Sequence, residues 1–129
     1  MQTEVPREAL VLRFKPMIVE TVWKKACLTY RLNGRYQLSV FADVARLSEG
    51  EDDLIKRLLN ASERQGVAPA NNPRYFLCTE AAKLLDLGFT FWKDGPPEVD
   101  EHYSVDLGED ATVGHVERFV AAFDRDGRR

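Results

Sequence analysis

His102, Ser104 and Asp106 carry the three residue types of a hydrolase triad on one short run, HYSVDL. That run alternates apolar and polar residues and reads as a strand, with Tyr103, Val105 and Leu107 inward. Strand geometry then works against the triad. Side chains two residues apart stand about 6 to 7 Å apart and roughly parallel, whereas the chemistry needs hydrogen-bond reach of about 3 Å. The expectation is a solvated polar face.

Two other groupings have suitable residue types. Arg31, Ser39 and Glu101 follow in the chain order of ADP-ribosyl transfer on small mixed α/β domains, which combine a strand Arg, a strand Ser and a Glu. The paired E-x-E carboxylates of that chemistry are missing, because Asp100 and Glu101 are adjacent. His102 as a base, with Arg31 or Arg35 on phosphate, would serve RNA cleavage. An acidic pI of 5.4 and only two histidines count against that use. His102 and the acids around it (Glu98, Asp100, Glu101, Glu109, Asp110) lack fixed ligand spacing, so no metal site is expected. The eight glycines are isolated and match neither phosphate-binding pattern, so no nucleotide cofactor is expected. Cys27 and Cys78 fit no C-x-x-C spacing and read as small buried hydrophobes.

These candidates need elements to hold them. Residues 9 to 15, ALVLRFK, alternate as a strand that Pro16 ends; residues 17 to 24 read as irregular structure. Asn33-Gly34 lies between apolar-rich runs, the strongest local hairpin signal. A three-residue loop, Leu32-Asn33-Gly34, pairs Tyr30 with Tyr36, Leu28 with Leu38 and Ala26 with Val40, and needs Gly34 at positive φ. That register puts Arg31, Arg35 and Ser39 on the polar face. Ser48-Glu49-Gly50-Glu51 has capping-box spacing ahead of a helix carrying Leu54, Ile55, Leu58, Leu59 and Ser62, with Gly66 as its stop. Residues 67–73 form a loop. A strand over 74–78, a helix capped by Thr79 over 80–87 and closed by Gly88, and a strand over 89–93 follow. Asp94-Gly95-Pro96-Pro97 breaks the chain. Thr112 caps a last helix with Val113, Val116, Val120 and Phe123 in one stripe and His115 exposed in its first turn. The segment 124–129 reads as a frayed tail. The whole is a single α+β domain over residues 1–129, with a largely antiparallel sheet of about five strands and about three helices.

A chain of 129 residues can bury one core without staples. Its apolar runs are far short of the roughly 20 residues needed to span a bilayer, and the N-terminus lacks a signal-peptide layout. A cytoplasmic location is therefore expected. Charge is unevenly placed: seven Lys/Arg against two Glu between Arg7 and Arg35, then eight acids and no Lys or Arg from Asp94 to Glu117. Either the two segments attract each other across the fold, or the basic segment meets an acidic partner. Trp92 points opposite to Phe89 and Phe91, so an aromatic patch is exposed unless both faces of that strand are covered.

YQLSVFADVA (36–45) and HYSVDLGEDATVGHVERFVAAF (102–123) resemble segments of small uncharacterised actinobacterial proteins, a likeness that extends from Leu28 to Phe123. No activity comes with it. The resemblance implies a bacterial cytoplasmic protein of a kind often found in two-gene modules such as toxin–antitoxin pairs. The expected function is a small intracellular binding module acting through a protein partner, with Arg35 and Trp92 as binding candidates; a homodimer is left open and nucleic acid and membrane are not expected partners. The alternative is a toxin-like enzyme of a toxin–antitoxin pair, using Arg31 and Ser39 with Glu101 or His102 in ADP-ribosyl transfer or RNA cleavage.

Overall fold

The computed structural model describes residues 2–14, 16–65, 75–93 and 99–128. Strands β1 (Gln2–Thr3), β2 (Leu10–Phe14), β3 (Gln37–Asp43), β4 (Tyr75–Glu80), β5 (Thr90–Lys93), β6 (His102–Asp106) and β7 (Arg125–Arg128) form one sheet. Its order is β1-β5-β6-β3-β2-β4-β7, and every neighbouring pair is antiparallel. Helices α1 (Val19–Asn33), α2 (Glu51–Gln65), α3 (Ala81–Asp86) and α4 (Val113–Ala122) pack on it. This is the expected α+β architecture, with more elements than expected among the described residues.

The hairpin does not form. Residues 19–33 are helical, so Leu28 faces no Leu38 and Tyr30 faces no Tyr36 across a ladder. Gly34 does sit at positive φ, 80°, but as the left-handed residue that ends α1, its N–H donating to the Tyr30 carbonyl at 2.7 Å. Asn-Gly suits a hairpin loop and a helix C-terminus alike, because both need a residue free of the Cβ penalty. What decides is burial on the helical repeat: Val22 and Ala26, one turn apart, pack with Val11, Leu38 and Val40 of the sheet. Tyr30, Tyr36 and Trp23 still meet, but as a stack of rings with centroids 4.4 and 5.5 Å apart.

Strands β2, β3 and β6 are covered on both faces, so alternation finds β2 and β6 as strands but misassigns their faces. Along β2, Val11 joins the core under α1 and α4, while Leu10 and Leu12 join a second core with Leu54, Leu58 and Leu59 of α2. A sheet covered on both sides reads as near-continuous apolar sequence. On β6, His102, Ser104 and Asp106 are accordingly buried, not solvated.

Several boundaries shift. Ser48 is no cap: it has φ 71°, α2 begins at Glu51, and the Gly50 N–H donates to the Asp53 carboxylate at 3.2 Å. Thr79 lies in β4 opposite Val11, and Glu80 precedes α3 instead. Thr112 caps α4 as expected, with His115 Nδ1 accepting its backbone N–H at 3.0 Å. The buried stripe of α4 runs through Val116 and Phe119, and Val113 is exposed. The terminal segment is not frayed, because 125–128 pair with β4. The Phe76 ring lies over Gly127 so closely that a Cβ there would meet it at 2.4 Å. The stop at Gly66, the loop 67–73 and the break at 94–97 lie outside the described residues.

Candidate functional site

On the α2 face of the sheet, β3, β5 and β6 line up polar residues in register. Gln37 stands beside Asp106, Ser39 beside Ser104, and Ser104 beside Trp92. Five of the six residues picked from sequence (Ser39, Glu101, His102, Arg35 and Trp92) gather on or at the ends of this ladder. Arg31 does not. It is exposed on α1, which packs on the opposite face of the sheet from Ser39.

One end of the ladder is closed by Asp106. Its carboxylate, 2% exposed, accepts from Nε and Nη2 of Arg35, from Gln37 Nε2 at 3.1 Å and from the Gly108 N–H at 2.8 Å. Arg35 also donates to Glu109 at 3.1 Å, and its guanidinium carbon lies 4.6 Å from the centre of the Trp92 ring. Asn33 continues the chain, donating to Gln37 and accepting the Arg35 N–H at 3.0 Å. The Asp106 hydrogen bond raises the Arg35 pKa. The two proposed binding residues therefore do come together, but in a set already satisfied by its own members. It ties the end of α1 to β6. It leaves Asp106 no role beside the His102 imidazole.

The other end is closed by Arg57. Its guanidinium donates to Glu49 at 2.9 and 3.1 Å, to Asp43 and to the Val44 carbonyl at 2.9 Å, and lies 3.8 Å from Glu101. Glu101, 6% exposed, takes Arg64 at 3.1 and 3.2 Å. Hydrogen bonds from Arg57 and from the Arg46 N–H hold the Glu49 carboxyl down at about 2. Glu101 is thus a buried partner of arginines. Between the two ends, His102 packs edge-on against Phe41 at 5.3 Å, and Ser39 is exposed with its carbonyl bonded by Arg13. Burial pushes the Cys78 thiol up to about 11, which favours the protonated form at neutral pH. No three or more His, Cys, Asp or Glu among the described residues are placed to share a metal ion.

The feature missed in the sequence lies on α1. Leu28 and Leu32 are 49% and 78% exposed on its outer side, and Ile18 just before it is 59% exposed. Lys24, Lys25 and Arg31 flank them, all exposed. Read as one strand of a hairpin, Leu28 was expected to be buried. Read as a helix, the one-turn spacing of Leu28 and Leu32 puts them together on the side opposite Val22 and Ala26.

Among the described residues, fold and site together define a seven-stranded antiparallel sheet with helices on both faces, two internally paired polar clusters and an outward apolar helix ridge. No family model, curated protein or solved structure matches this chain.

Proposed function

We propose that this chain is a binding module that acts through a protein partner docked on the outer side of α1. One observation carries the reading: Leu28 and Leu32, one turn apart on a helix whose other side is buried, both face outward. Single exposed apolar residues are ordinary on protein surfaces, and Leu47 in the β3–α2 loop is one of them. An aligned pair extended by Ile18 is a different case. Covering a leucine recovers about 1.5–3 kcal/mol, which is the scale on which interface anchors act. The polar ladder supports the same conclusion from the other side, since Arg35 is committed to Asp106 at one end and Arg57 to Glu49, Asp43 and Glu101 at the other. The transferase grouping draws no support from a placement with Arg31 and Ser39 on opposite faces.

The test is co-purification of the tagged full chain from the cells that make it, beside a Leu28→Ser, Leu32→Ser variant. We expect the variant to lose the specific partner while its urea midpoint stays where it was. A partner retained by the variant would overturn the proposal. So would growth arrest on expression of the chain alone that Arg31→Ala and Glu101→Ala both relieve.

A further inference from the structure

We infer that the partner presents an acidic amphipathic helix that packs alongside α1, an inference that rests on the docking face proposed above. From the N-cap Ile18 along the outer side of this helix, Thr21, Lys25, Leu28 and Leu32 follow at intervals of three, four, three and four residues. That is the spacing of the a and d positions of a coiled-coil seam. At about 1.5 Å per residue the helical part of the seam, Thr21 to Leu32, is about 16 Å long, enough for three turns of a facing helix to engage. Lys24 and Arg31 fall at the g positions that border it, and Lys25 lies within it at an a position.

The charges choose the occupant. Lys24 is 3.6 Å from Glu20, with side chains 75% and 81% exposed, a pair that solvent screens. Lys25 and Arg31 meet no carboxylate among the described residues. A second copy of α1 is a poor occupant: parallel pairing sets Lys25 against Lys25, and antiparallel pairing sets Lys24 against Arg31. Like charges facing each other across a seam select against self-pairing and for acids on the partner. A nucleic acid would satisfy the cations but leave the leucine ridge uncovered. A helix with an apolar stripe bordered by Glu or Asp satisfies both.

The probe is a stapled three-heptad peptide with Leu at a and d and Glu at e and g, labelled for fluorescence anisotropy, with a twin carrying Lys in place of Glu. The full chain should bind the acidic peptide at least about tenfold tighter than the basic one. A Lys25→Glu, Arg31→Glu variant, its circular dichroism and melting unchanged, should invert that preference. Equal affinity, preference for the basic peptide, or no binding of the acidic peptide at about 1 mM would overturn the inference. Binding to phosphatidylglycerol vesicles that the acidic peptide fails to displace would do the same. The co-purification separates the two proposals. A partner lost with Leu28→Ser, Leu32→Ser yet kept with the charge reversal overturns the acidic helix and leaves the docking face standing. A partner kept by both variants overturns the face itself.

Discussion

Arg31 and Arg35 belong to the same basic segment, on either side of the Gly34 cap, and their surroundings differ in every respect. Arg31 lies on the outer side of α1 with no carboxylate near it among the described residues. Arg35 is half-buried, stacked on Trp92 and bonded to Asp106 and Glu109. The contrast teaches that, among the described residues, the basic and acidic segments pair where the chain turns from α1 into β3, through Arg35 with Asp106 and Glu109. On α1 itself Lys24, Lys25 and Arg31 stay outward, together with two leucines. One part of the segment holds the fold, and the other is available.

The largest expected effect lies on the committed side. Asp106→Ala would take the acceptor from the Gln37 amide and the Gly108 N–H, at a position 2% exposed, and leave the Arg35 guanidinium with Glu109. Each buried donor left unsatisfied costs about 1–3 kcal/mol, so the urea midpoint should fall sharply. A loss below about 1 kcal/mol would show this cluster to be worth no more than a surface pair and would remove the contrast with Arg31.

Next comes Arg57. Arg57→Met should cost about 2 kcal/mol, because Glu49 and Asp43 lose this guanidinium and keep backbone donors, while Glu101 keeps Arg64. It also carries a pH signature. Glu49 titrates at about 2 in the folded chain against 4.5 unperturbed. Its folded pKa is depressed, so its stabilisation is complete above pH 4.5 and disappears as pH falls towards 2. Arg57→Met should flatten that part of the stability–pH curve; an unchanged slope would mean Glu49 is held by the Arg46 N–H alone.

How much of this could be read in the residues follows the same division. The antiparallel α+β class, the strands β2, β5 and β6, the helix stripe at Leu54–Leu58 and the Thr112 cap were all readable, since each rests on local periodicity or capping. The face of β6 was not, because a strand covered on both sides leaves no polar face, and His102, Ser104 and Asp106 imitate one. The stretch 17–33 failed for a sharper reason. Ile18, Val19, Thr21 and Val22 are β-branched and weak helix formers, and Asn33-Gly34 serves two motifs. Only tertiary burial of Val22 and Ala26 decides between them. Once it is decided, Leu28 and Leu32 change from core residues to surface anchors and Arg31 leaves the company of Ser39. Arg57 and Asp106 as hubs had no local signal, because their partners come from separate elements.

The smallest expected effect on stability sharpens the comparison most. Arg31→Ser removes a charge that nothing in the fold uses, so unfolding should change by no more than about 0.5 kcal/mol. Arg35→Ser, by contrast, strips Asp106 of its cation and Trp92 of its cover, and should lower the urea midpoint clearly. Binding should rank the pair the other way: the acidic-helix peptide should lose affinity with Arg31→Ser and keep it with Arg35→Ser, since Arg35 sits beyond the helix cap and behind its own acids. Two arginines on either side of one glycine would then separate folding from recognition in a single pair of variants. If both substitutions weakened binding alike, the charge around α1 would be acting as a diffuse field and not as a bordered seam, and the partner's helix would lose its reason.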